Sequence, residues 1–79
     1  MSVGANYRAA ARAKSPADFI NKLKIVEEEC DESMYFLEVL RELLPEHKTE
    51  FDILHKEANE LLSITVASIK TARKNNTRS

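Results

Sequence analysis

Asp52-Ile53-Leu54-His55 sets a carboxylate and an imidazole one turn apart, the spacing at which one helix can present two ligands to a metal ion. Di-iron bundles use such a pair on each of two helices and add a glutamate from each of the other two. This sequence has the pair once. His47 is the only other histidine, and the segment that offers Glu27, Glu28, Glu29 and Glu32 carries none. With the second ligand pair missing, the reading is no metal and no cofactor. Cys30 is the only cysteine. It falls in an apolar stripe, which points to a buried structural thiol rather than a nucleophile. There is no glycine-rich phosphate loop and no Ser/His/Asp set, and a short helical chain offers little concavity for one. The expectation is therefore a protein that is not an enzyme and takes no small-molecule substrate.

The elements that carry these residues follow from punctuation and periodicity. The chain has 79 residues, with Gly4 its only glycine and Pro16 and Pro45 its only prolines. The clusters of Gly, Asn and Asp that tight β-turns need are missing between residues 16 and 74. Residues 2–14 are alanine-rich and favour helix. Ser15-Pro16-Ala17-Asp18 is a start signal: a cap, a proline suited to the first helical position, and a capping-box-like acid. From there Phe19, Leu23, Val26, Cys30, Ser33, Leu37, Leu40 and Leu44 follow steps of four and three, a heptad stripe. Pro45 disfavours helical geometry at Leu44 and ends the run. Phe51, Leu54, Ala58, Leu61, Thr65, Ser68 and Ala72 repeat the stepping on a third segment. The expected helices span about 2–14, 16–44 and 47–74, followed by a polar tail over 75–79.

The fold class is all-α: one domain, with a short first helix and a long antiparallel helical hairpin. A turn near residues 45–46 makes facing positions sum to about 91 in residue number. That sets Leu37 opposite Leu54, Cys30 opposite Leu61, Leu40 opposite Phe51 and Phe19 opposite Ala72, with large residues facing small ones at several layers. A domain this small buries only about 60% of its unfolded surface, and a lone cysteine gives it no internal disulfide. No apolar run approaches the length of a membrane span, and the N-terminus lacks the core of a signal peptide. The reading is a cytoplasmic protein with no membrane partner.

One seam does not use all the apolar surface. Ile20, Ile25, Met34, Phe36, Val39 and Leu43 flank the stripe on the second helix, and Ile53, Leu62, Ile64, Val66 and Ile69 flank it on the third. The first segment has only Val3, Tyr7 and alanines to cover them. Contiguous exposed apolar surface on this scale marks an interface. The expected partner is another copy of the chain, through Ile25, Phe36, Val39, Ile64, Val66 and Ile69. Tyr35-Phe36 fits that use, as a core or oligomer contact.

Charge is polarised although the net charge is only −1. Of the 13 acids, all but Asp18 lie between Glu27 and Glu60. The Glu27–Glu29 run reads as a solvated face. Residues 1–17 and 61–79 carry only basic charges. In the hairpin, Arg12, Lys14, Lys22, Lys70, Arg73 and Lys74 gather at one pole, opposite an acidic pole near Pro45. A basic pole can meet the phosphates of a nucleic acid. Against that use, none of the tail cations is interleaved with an aromatic for base stacking. The favoured reading is cations that complement the carbonyl end of a helix, together with a solubilising tail.

Three runs resemble the bacterial four-helix bundle proteins associated with intervening sequences of 23S ribosomal RNA genes. Ser2-Val3-Gly4-Ala5-Asn6-Tyr7-Arg8-Ala9-Ala10 is similar to that family's S-x-G-A-N-x-x-E-A run, with Ala9 where the family usually has Glu. Asp18-Phe19-Ile20-Asn21-Lys22-Leu23, then Glu29, Glu32 and Tyr35-Phe36-Leu37-Glu38, resembles its D-F-x-x-K-L … E-x-x-E-x-x-Y-W-L-E helix, with Phe36 in place of Trp. Glu57-Ala58-Asn59-Glu60-Leu61-Leu62 and Ser68-Ile69-Lys70-Thr71 resemble its final helix. The resemblance implies an up-and-down bundle lacking the family's first helix, an N-terminally shortened member. It also implies ring-like homo-oligomers such as pentamers. One branch of the wider group assists the reverse transcriptase of diversity-generating retroelements and binds nucleic acid through a basic surface.

Overall fold

A computed structural model describes residues 3–78 and the side chains of residues 4–75. Ser2 and Ser79, and the side chains of Val3 and Arg78, lie outside that description. Three α-helices and one short 3₁₀ turn account for nearly all of it: α1 Val3–Ala11, α2 Pro16–Leu43, the turn Pro45–His47, and α3 Lys48–Arg78. No strand occurs among the described residues.

The start of α2 is built as its sequence requires. Ser15 is extended (φ −154°, ψ 162°), and its hydroxyl accepts a hydrogen bond from the Asp18 N–H at 3.1 Å. The Asp18 carboxylate reaches back and accepts from the Lys14 N–H at 3.3 Å. The pair is thus a capping box shifted by one residue, and it ties the α1–α2 link to the first turn of α2. At the other end the Leu44 N–H still bonds to the Leu40 carbonyl at 2.8 Å, and Pro45 then forces the 3₁₀ turn. α3 does not stop near Lys74. It continues to Arg78, over residues expected to form a tail. Nothing in 75–78 is a proline or glycine, and a polar run on a helix already nucleated by packing can extend it.

α2 and α3 pack along their length, and α1 packs on α2. The shape is a rod, 52 × 19 × 14 Å. The stripe on α2 is the buried line: Leu23, Val26, Cys30, Ser33 and Leu37 are all buried. Cys30, Ser33 and Leu37 share a cleft of about 210 Å³ with Leu61, Ala58 and Leu54, so the hairpin register follows the expected sum. α1 is short. Its 9 residues rise about 14 Å, against about 42 Å for the 28 residues of α2. Ala10 joins Leu23 and Ile69 in a buried cluster, with Tyr7, Phe19 and Ile20 packed against it. That end of the molecule has three helices, and the hairpin end has two.

Candidate interaction surface

The hairpin end is where the apolar surplus lies. Tyr35, Phe36, Val39, Leu43 and Leu44 from α2 and its cap, and Ile53 and Leu54 from α3, are all exposed. Phe36 is 62% exposed and Leu43 70%. Phe36, Leu40 and Leu43 stand at i, i+4 and i+7, on one stripe of α2. The same stripe, followed back towards residue 18, passes through Glu29, which accepts a hydrogen bond from the Asn6 side chain of α1. α1 therefore meets the stripe at Glu29, and further along it Phe36 and Leu43 are exposed with Leu40 half-buried between them.

A second apolar surface lies at the three-helix end. It is a groove of about 790 Å³ between the end of α1 and α3, walled by Phe19 and Ile64 and floored mainly by small side chains such as Ala10, Ala11, Ala67, Thr71 and Ala72. Ala10, Ala11 and Ala13 were legible as helix formers. Their place in the floor of a groove depends on where α1 docks, which the sequence alone does not state.

Of the six residues expected at the interface, Ile25, Phe36, Val39 and Ile64 are exposed and Val66 is half-buried. Ile69 corrects the expectation: it is 4% exposed, in the cluster with Ala10 and Leu23. An a/d stripe describes the narrow seam of two helices, whereas three-helix packing buries a wider arc of α3 and takes Ile69 in. Leu54 departs in the opposite direction. It belongs to the seam by spacing but is exposed, because no third helix covers the seam there.

The opposite edge of the hairpin is polar and tied. Arg41 donates to Asp52 at 2.9 Å, Lys48 donates to the other oxygen of Asp52 at 2.7 Å, and His55 meets Glu38 at 3.1 Å. The hydrogen bonds from Lys48 and Arg41 hold the Asp52 carboxyl below the usual carboxylate range, and the bond to Asp52 raises the Arg41 guanidinium. Asp52 and His55, the pair with metal-ligand spacing, each reach a partner on α2. No group of three or more His, Cys, Asp or Glu among the described residues could hold a metal. Arg41–Asp52 and Glu38–His55 both sum to 93, so the register applied to opposite charges could have found them. At Cys30, burial, with help from Asp31 and Glu29, pushes the thiol up and disfavours the thiolate. Every described buried side-chain nitrogen or oxygen has a hydrogen-bond partner, so none is left aimed at an absent ligand.

The cations of the basic pole sit where the hairpin topology puts them, at the end holding the α1–α2 link and the last turns of α3. Arg12, Lys14, Lys70, Arg73 and Lys74 are exposed. Lys22 is half-buried and paired with Asp18 at 3.4 Å, which ties it to a local acid. No described helix is long and apolar enough to cross a membrane. No protein-family model, curated protein or solved structure matches the chain.

Proposed function

We propose that this protein is a non-enzymatic helical scaffold that acts by self-association, and that the apolar hairpin end is its contact surface. The observation that carries the reading is exposed Phe36 and Leu43 on one stripe of α2, with half-buried Leu40 between them, together with exposed Ile53 and Leu54 on the neighbouring helix. Two large apolar flanks at one end of a small domain are more than scattered surface hydrophobics require. The family resemblance, with its homo-oligomeric rings, points the same way. Light scattering over about 1 µM to 1 mM, a range in which contacts of about 4–8 kcal/mol would show, tests it. A mass that rises above 9.0 kDa with concentration is expected. A fixed monomer mass over the whole range would remove the reading.

A second reading, a nucleic-acid accessory protein using Arg12, Lys14, Lys22, Lys70, Arg73 and Lys74, is favoured by one observation: these six lie at the same end of the rod. Binding to an RNA or DNA oligonucleotide should then weaken with salt at a log–log slope of about −0.7 to −0.9 per phosphate neutralised. A flat salt response, or no binding at low salt, would dispose of it.

A further inference from the structure

The two apolar surfaces share one face. On α3, Ile53, Glu57, Glu60, Ile64, Ala67 and Thr71 recur at steps of three and four, one continuous stripe. Its far end, from Ile64 onward, lines the alanine-floored groove, and Glu57 lines the cleft beside Leu54. On α2, Phe36 lies on the continuation of the stripe that α1 meets at Glu29. One face of the rod therefore carries large projecting side chains at the hairpin end and a groove of small residues at the other.

A face whose two halves complement each other in shape is self-complementary under a two-fold rotation across the rod. We propose that two copies of this chain pair antiparallel on this face, each seating its projecting hairpin end in the other's groove. The proposal rests on the self-association reading and adds the partner, the surface and the orientation. Both contacts form at once and close the assembly at two, as an isologous interface requires. A parallel pairing would set projecting side chains against projecting side chains, leaving both grooves empty. A standard interface takes about 800 Å² from each partner, which a face 52 Å long and 19 Å wide can supply. Centring Ile53 on the groove places it beside Thr71 of the other copy, so facing positions along the two α3 helices sum to about 124 by residue number.

The test mixes two variants made in a Cys30→Ala background, Ile53→Cys and Thr71→Cys, both at exposed positions. Each is checked for helicity and for mass by light scattering, then oxidised mildly alone and together. The expected result is a dimer mass, with a disulfide that forms in the mixture at least tenfold faster than in either variant alone. Dimers in which Ile53→Cys couples mainly to itself, or neither thiol couples, would overturn the orientation and leave self-association standing. A mass above two would overturn the two-fold closure. Monomers throughout would overturn the self-association reading itself. Thr71→Arg on the unaltered chain gives a second route that needs no disulfide. Filling the groove should weaken dimerisation at least tenfold with helicity unchanged, and undiminished dimerisation would overturn the proposal.

Discussion

The two ends of this rod are made of the same two helices and behave as different materials. At the α1 end, Leu23, Val26, Ala10 and Ile69 are buried and Thr65 is fully enclosed, its hydroxyl donating to the Leu61 carbonyl at 2.7 Å. At the hairpin end, Leu43, Phe36, Ile53 and Leu54 are exposed, and polar pairs on one edge tie the helices together. Apolar content alone does not separate the ends. A third helix does: nine residues of α1 turn a two-helix seam into a core. Burial of an apolar side chain depends on how many neighbours surround it, and a hairpin offers one neighbour where a bundle offers two or three.

This contrast can be broken in graded ways. The largest effect should come from Leu23→Ala. Truncating a leucine that is 1% exposed should cost about 2–5 kcal/mol, enough to unfold most of a domain this small, as urea denaturation at low protein concentration would read. A Leu23→Ala variant that melts within about 0.5 kcal/mol of the parent would show that the α1 end is not the core. Next come Phe36→Ser and Leu43→Ser. Each should leave the monomer's stability within about 0.5 kcal/mol while weakening association at least tenfold, or about 1.4 kcal/mol. Ser15→Ala should follow, costing about 1 kcal/mol through loss of the cap on α2. Ser15 also lines the groove, so the urea midpoint at low protein concentration, where the monomer alone is read, is the measurement that isolates the cap.

The smallest effect concerns the tied edge. Asp52 has its folded pKa depressed, so its contribution is present above the unfolded value of about 3.9 and is lost as pH falls through the folded value. Acid should therefore loosen the hairpin end first. Asp52→Asn should reduce the acid sensitivity of the urea midpoint and change neutral-pH stability little, because the pairs are partly exposed. Equal acid sensitivity in parent and variant would show that the edge pairs do not hold this end.

Much of the fold was legible in the sequence. The Ser15-Pro16 signal, the Pro45 break and the α2 stripe translate directly into helix ends and buried residues, since caps and periodicity are local properties of the chain. The register was legible too, because a short link leaves an antiparallel hairpin little freedom. What the sequence hid depends on where α1 docks. Ile69 looked like a flank and is core, and Leu54 looked like seam and is exposed. Ala10 and Ala11 of α1 looked like helix formers and are also part of the floor of a groove. The polar edge was hidden for a different reason: Asp52-x-x-His55 reads as a local pair, and its partners, Arg41 and Glu38, lie on the other helix.

The central claim is that the hairpin end is an association surface and not a loosely packed end of a monomer. Amide hydrogen exchange by residue, run at about 1 µM and about 1 mM, tests it most directly, because exchange reads the local stability of each end separately. The expected result is a marked slowing over residues 36–54 at high concentration, with the innermost amides near Leu23 and Thr65 little changed. Identical exchange over residues 36–54 at the two concentrations would contradict the claim.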